Sequence, residues 1–343
     1  MAKRIGILTG GGDCPGLNPA IRGCVFAAEK LGCECVGFAD GWKGIIENRT
    51  LPLNRDITRE IIMQGGTMLG TSRTNPYKKE GGVEALKDTF RKNSLDALVA
   101  MGGEDTLGVA HRLYKDFQFP VVGVPKTMDN DLSGTDYTFG FDTSVTVAVD
   151  ALQRLRDTAR SHHRIIVLEV MGRHAGWVAL FTAIAGAADY VCLPERKVDG
   201  EDLARKLKEA YAARKYALVV SSEAVELPAL DGGKTQDLDD FGHVILKGRG
   251  VGESLAKIIE EKTGIETRHA VIGHIQRGGA PTLFDRILGS RVGAAAAQFA
   301  CEGRFGVMAA LNGDKITPVP LETAVGQLKT VSEQWLKFAD SML

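Results

Sequence analysis

A chain of 343 residues with a hydrophobic fraction of 44% is long enough for two domains with sizeable cores. A formal charge of −1 argues against a polybasic nucleic-acid surface or an acidic tail, and no stretch is long and apolar enough to span a bilayer. Met-Ala-Lys-Arg runs straight into a strand pattern, unlike a signal peptide, and the six cysteines lack zinc-ligand spacing and read as reduced thiols, so a cytoplasmic location is expected.

Arg4 to Thr9 reads as a strand, followed by Gly10-Gly11-Gly12-Asp13-Cys14-Pro15-Gly16, a helix from about Asn18 to Lys30 and a strand from Glu34 to Ala39. This order opens a doubly wound sheet, and the loop suits either a phosphate cradle or tight packing. Counting from Gly10 and Gly12, the third glycine of a dinucleotide fingerprint falls on Pro15, so the fingerprint fails. Asp40, after the second strand, keeps a dinucleotide-binding oxidoreductase as an alternative from another class. No Gly-x-x-x-x-Gly-Lys-Ser/Thr loop occurs, which argues against a P-loop NTPase. A Gly-rich turn from Gly65 to Gly70 leads to Arg73, whose planar fork can clamp a phosphate or simply face solvent. Gly82 to Asn93 reads as a helix.

Two apolar runs, Ala97 to Ala100 and Val121 to Val124, are short enough to be buried parallel strands. The first ends in Met101-Gly102-Gly103-Glu104-Asp105, with a helix expected from near Thr106 through Leu113. A helix N-terminus favours an anion, so two adjacent carboxylates there either call for a hard cation such as Mg²⁺ or only stabilise the dipole. The second run leads to Lys126, Thr127, Asp129 and Asp131, which supply a positive charge and carboxylates able to take a hydroxyl proton, or else a polar turn. Two such loops at the carboxyl ends of neighbouring strands point to phosphate chemistry.

Beyond Asp131 the pattern predicts a helix from Ser144 to Arg160 and a strand from Arg164 to Val170, ending in Met171-Gly172-Arg173-His174. A helix to about Ala187 follows, then strands at Tyr190–Leu193 and Tyr216–Ser221 around a helix near Glu201–Ala213, with Glu223 next. Leu227 to Gly252, rich in Gly and Asp and carrying Lys247-Gly248-Arg249-Gly250, reads as an exposed excursion. A helix at Glu253–Thr263 leads to Arg268, a strand at Ala270–Ile272 and His274-Ile275-Gln276-Arg277-Gly278-Gly279. Two arginines and a histidine around one strand suit a phosphate monoester. Arg286 to Cys301 is the last long helix expected.

Taken together, Gly-Gly-Asp-x-Pro-Gly, Thr-x-Asp-Asn-Asp, Met-Gly-Arg and Gly-His-x-Gln-Arg-Gly-Gly, in that order from about Arg4 to Arg291, resemble the 6-phosphofructokinase family. The resemblance implies two Rossmann-like α/β domains with mostly parallel sheets and an active site in the cleft between them. It implies a phosphoryl-donor domain of 1–140 plus 276–326 and a sugar-phosphate domain of 141–275 plus 327–343. The activity implied is phosphoryl transfer to the 1-hydroxyl of fructose 6-phosphate, with Asp129 as the base, supported by Lys126, Thr127 and Asp131. Gly11, Gly12, Arg73, Asp105 and Lys126 match donor positions, and Glu104 matches a position facing Mg²⁺. Met171, Gly172, Arg173 and Glu223 match sugar contacts, and Arg164, Arg268, His274 and Arg277 match the 6-phosphate pocket. The counterparts of Arg164 and Arg268 reach in from a neighbouring subunit, so a homodimer or homotetramer is implied. The chain is neutral at Phe26 and Ala212, where the allosteric pattern is basic, so nucleotide regulation is not expected.

Asp105 stands where ATP-dependent members typically carry Gly, which leaves room for the nucleotide's α-phosphate. Here the side chain fills that space and repels the charge by about 4 kcal/mol for unit charges near 4 Å at an effective dielectric of 20. Lys126 fits the pyrophosphate-dependent pattern as well. Pyrophosphate is therefore the expected donor and the reaction is expected to be reversible, with an ATP-dependent phosphofructokinase as the alternative and a silent sugar-phosphate binding module as a further rival.

Overall fold

The structure, a computed structural model, describes residues 3–227 and 250–343. Residues 228–249, most of the expected excursion from Leu227 to Gly252, lie outside the described residues.

Eleven strands form two sheets among the described residues. They are β1 (Arg4–Thr9), β2 (Glu34–Phe38), β3 (Thr50–Leu53), β4 (Ala97–Gly102), β5 (Val121–Pro125), β6 (Ile165–Val170), β7 (Tyr190–Cys192), β8 (Ala217–Ser222), β9 (Thr267–Val271), β10 (Val307–Asn312) and β11 (Lys315–Pro320). The seven-stranded sheet runs β11-β10-β5-β4-β1-β2-β3 and the four-stranded sheet runs β7-β8-β6-β9. Every pair is parallel except β10–β11 and β2–β3, at the two ends of the larger sheet. The fold is thus α/β with mostly parallel sheets.

Burial on both faces explains why β4 and β5 read as unbroken apolar runs. Val99, Met101, Val122 and Val124 pack into one core layer with the helices Leu17–Lys30 and Leu283–Glu302. Leu98, Ala100 and Val121 pack into the opposite layer with Leu107 and Leu113. The smaller sheet repeats this: Ile166, Leu168 and Val170 face one layer, Ile165 and Val167 the other.

The helices Leu17–Lys30 and Leu283–Glu302 touch backbone to backbone. A Cβ on Gly23 would lie 2.2 Å from the Ser290 carbonyl oxygen, and one on Gly293 would lie 2.0 Å from that of Ala20. This contact anchors the Gly10–Gly16 loop, because Gly16 at φ +112° caps the first helix.

Several boundaries differ from the sequence reading. The helix expected near Thr106 starts at Glu104, with Gly103 as its N-cap, so both carboxylates stand in its first turn. Arg268, expected to precede a strand, lies inside β9, an edge strand whose exposed positions break the apolar pattern. The edge strands β3 and β11, and β10 beside β11, go beyond the sequence reading. Asp40, the basis of the dinucleotide alternative, is paired with Arg49 at 2.8 Å.

Candidate active site

The loops leaving β1, β4 and β5 in the larger sheet face those leaving β6 and β8, with the turn after β9, in the smaller one. They enclose a cleft of about 800 Å³.

On the larger-sheet side, the Gly loop lies against three neighbours. Gly10 N–H donates to Met101 O at 2.9 Å, Gly11 N–H to Ser72 O, and Thr71 Oγ1 to Gly11 O. These bonds lock the loop to the turn carrying the exposed Arg73. Gly11 has φ +79°, and a Cβ there would sit 3.4 Å from Lys126 Nζ. A Cβ on Gly12 would sit 2.8 Å from Arg277 Nη1. Side chains at these two positions would therefore crowd the two cations against the loop. Lys126 is 4% exposed and donates to Gly12 O, and burial pulls its pKa below the usual lysine value. Arg277 Nη1 donates to Asp13 O at 3.0 Å, so it bridges from the sugar-side turn to the donor loop.

Beyond Lys126, Thr127 Oγ1 accepts from Asp129 N–H at 3.0 Å. Asp129 Oδ2 accepts from Arg173 N–H at 3.4 Å, and its buried Oδ1 has no hydrogen-bond partner among the described residues. Burial first, and the Asp129 charge second, push Asp131 up to about 7. Asp131 therefore keeps its proton up to about pH 7, while hydrogen bonding from Thr127 pulls the other way.

On the smaller-sheet side, Met171 N–H donates to Gln276 Oε1 at 2.8 Å and Gly172 N–H to Glu223 Oε1 at 3.3 Å. Burial raises the Glu223 pKa. His274 and Arg277 come from the 3₁₀ turn Gly273–Arg277.

Of the residues singled out from sequence, all line this cleft except Gly172, Arg164 and Arg268. Gly172 holds Glu223 through its backbone. Arg164 and Arg268 both pair with Glu266, at 2.9 Å and 2.5 Å, beside the open edge of the smaller sheet. The sequence reading missed Asp13, Met128 and His174, which line the cleft, and Gln276, which supports it. Gln276 stood inside a recognised motif, and its buried amide contacts were the missing information. At the neutral position Phe26, the guanidiniums of Arg22 and Arg55 lie 4.1 and 4.2 Å from the ring centre.

Among the described residues, no three His, Cys, Asp or Glu side chains converge into a metal-binding group. Glu104 lines the cleft at a helix N-terminus, and its charge adds to the forces raising Asp131. This donor set fits a hard cation completed by phosphate oxygens and water, as Mg²⁺ prefers, rather than an all-protein cage.

Residues 4–300 match the family model described as Phosphofructokinase. The chain is 50% identical to the pyrophosphate–fructose 6-phosphate 1-phosphotransferase of Dictyoglomus thermophilum, covering 96% of each chain. It is 45% identical to ATP-dependent 6-phosphofructokinase 3 of Streptomyces coelicolor, covering 99% of this chain and 100% of that one. The solved T-state phosphofructokinase of Pichia pastoris superposes with a TM-score of 0.82 at 28% identity, over 100% of this chain and 36% of the Pichia chain.

Proposed function

The chain belongs to the phosphofructokinase family, and from that premise we propose that it transfers a phosphoryl group reversibly from pyrophosphate to the 1-hydroxyl of fructose 6-phosphate. The products are fructose 1,6-bisphosphate and phosphate. The observation that carries the donor assignment is Asp105, which lines the cleft in the first turn of the helix Glu104–Phe117. The Dictyoglomus relative's name supports the same reading.

The sugar phosphate lies on the smaller-sheet side, against Met171, Arg173 and Glu223, with His274 and Arg277 at its 6-phosphate. Asp129 accepts the proton of the 1-hydroxyl; its unpartnered buried Oδ1 supports that role. The freed oxygen attacks the near phosphorus of pyrophosphate in line, and the bridging P–O bond breaks. Lys126, held under the Gly loop, and Arg73 neutralise charge on the departing phosphate. When bound, Mg²⁺ at Glu104 would add charge neutralisation on the donor oxygens. Asp131, protonated up to about pH 7, supports the same loop without taking the proton itself.

Residues 1–140 with 276–326 serve as the donor domain, and 141–275 with 327–343 as the sugar-phosphate domain. Arg164 and Arg268 complete the 6-phosphate pocket of a neighbouring subunit, in a cytoplasmic dimer or tetramer. Neither lines this chain's own cleft, and both pair with Glu266 beside an open sheet edge, which supports that reading.

The test offers fructose 6-phosphate and Mg²⁺ with pyrophosphate or ATP separately. Brisk turnover with pyrophosphate is expected, and turnover with ATP alone would overturn the donor assignment. The Streptomyces relative's name favours that second outcome.

A further inference from the structure

Lys329 belongs to no motif of the chain and lies about two hundred positions from the acids of the active site, yet it is built into their loop. Its ammonium donates to Asn130 Oδ1 at 3.3 Å, Thr135 O at 3.0 Å and Asp136 O. Its backbone N–H donates to Asp131 O at 2.9 Å, and its carbonyl accepts from Trp177 Nε1 at 2.8 Å. A Leu132–Leu328 bridge extends the contact.

Asn130 is the residue most in need of such support. It is 1% exposed and sits at φ +52°, a left-handed conformation that costs a non-glycine residue roughly 1 kcal/mol or more. Among the described residues its Oδ1 accepts from Thr138 N–H at 3.1 Å, from Lys329 at 3.3 Å and from the Thr138 hydroxyl at 3.5 Å. Asp129 and Asp131 flank it, so the turn at Asn130 fixes how both carboxylates leave the loop.

We propose that Lys329 is a positioning residue for phosphoryl transfer, its ammonium holding the Asn130 turn and thereby setting where the Asp129 carboxylate stands. The inference rests on the reading that Asp129 accepts the substrate proton. Lys329 does not itself line the cleft; its ammonium bonds to Asn130, Thr135 and Asp136, and it acts on Asp129 through Asn130.

The groups facing this ammonium are the charges of Asp136 and Asp131 and the rings of Tyr137 and Trp177, at 5.8 and 5.5 Å. Burial outweighs the two acids and brings Lys329 down to about 8 from 10.5. Below about pH 8 the ammonium is charged and the turn is held. Above that value the neutral amine holds the three oxygens less well. Fold stability moves the other way, because the unfolded chain binds this proton more tightly between about 8 and 10.5. Lys329 therefore makes the fold more stable, not less, as pH rises through that window. A merely structural lysine would give no alkaline loss of turnover.

The experiment measures steady-state kinetics across pH for the full chain, using fructose 6-phosphate, Mg²⁺ and whichever of pyrophosphate or ATP the wild type turns over. If only ATP works, the donor assignment fails while the Lys329 comparison still stands. Lys329→Met is expected to lower kcat on the order of 10²-fold, with KM for the sugar changed less than about threefold. Lys329→Arg, which has a neighbouring cavity of about 440 Å³ to expand into, should keep most of kcat at pH 7 and lose the alkaline fall near pH 8. An alkaline fall unmoved in Lys329→Arg would assign it to another group, such as Lys126, and overturn the proposal. So would a folded Lys329→Met with kcat within about twofold of wild type. If Lys329→Met does not fold, the arginine variant alone decides.

Discussion

Asp105→Gly isolates the donor choice in one side chain. Asp105 is half-buried in the cleft wall, one residue beyond the helix start at Glu104. A nucleotide's α-phosphate about 4 Å away would meet about 4 kcal/mol of repulsion at an effective dielectric of 20. Water reaching the partly exposed carboxylate reduces this; at half that value, removing the charge is worth about 2 kcal/mol, or roughly thirtyfold in affinity. Relief of the steric block adds to the effect only in the glycine variant. Asp105→Asn removes the charge at nearly constant volume, so the pair of variants separates the two causes. Both lose a helix-dipole contact of about 0.3–1 kcal/mol, and the glycine costs up to about 1 kcal/mol more. A thermal unfolding check therefore accompanies the kinetics. The assay compares kcat/KM with ATP and with pyrophosphate for the three proteins. A thirtyfold or larger gain in the ATP-to-pyrophosphate ratio is expected for the glycine variant. If neither folded variant shifts that ratio by more than about threefold, the charge-and-volume argument is wrong.

Three further outcomes follow from the geometry. Asp129→Ser should lower kcat by about 10²–10⁴-fold with little change in sugar KM, because a proton acceptor is lost while the binding side chains remain; near-normal turnover removes it from that role. Asp131 binds its proton up to about pH 7 in the fold but only to about 3.8 when unfolded, so it costs stability as pH rises across that window. Asp131→Asn should accordingly raise the melting temperature relative to wild type at pH 8 more than at pH 4, and an equal difference at both would contradict the burial argument. Co-expressed Arg268→Ala and Asp129→Ser chains, each nearly inactive alone, should recover up to about a quarter of wild-type activity in a random dimer if sites are shared between subunits. Mixed oligomers that remain dead would show that Arg268 does not act across the subunit boundary, and an active Arg268→Ala alone would place it outside the site.

The sequence disclosed most where a residue's surroundings are local. β4 and β5 were readable because burial on both faces leaves no polar position to confuse the period. β9 was misplaced because Thr-Arg-His-Ala-Val lies at a sheet edge with three exposed residues. β3 carries Pro52 at an edge of the larger sheet, where a missing N–H is tolerated. The β10–β11 hairpin has a legible turn at Asn312-Gly313-Asp314, with Gly313 at φ +60°. The loops at strand ends carried their chemistry in adjacent residues, so the motifs revealed them. Gln276 and Lys329 act across long separations, on Ser144 and Asn130, and nothing near them in the chain announces those partners.

The same contrast explains why donor choice rests on so little of the molecule. The sheets and the backbone contact between the helices Leu17–Lys30 and Leu283–Glu302 must persist whichever phosphoryl donor is used, because they set the cleft's walls. Pyrophosphate and ATP offer closely similar groups to Lys126, the Gly loop and a bound cation. They differ in what lies beyond the second phosphorus, where one ends and the other continues into a charged ester and a nucleoside. Only groups that reach that point can discriminate, and under the proposed donor assignment Asp105, in the first turn of the helix Glu104–Phe117, is that group. A charge of the same sign as the ester needs no specific fit to exclude it, so one substitution can reverse donor preference without altering the fold.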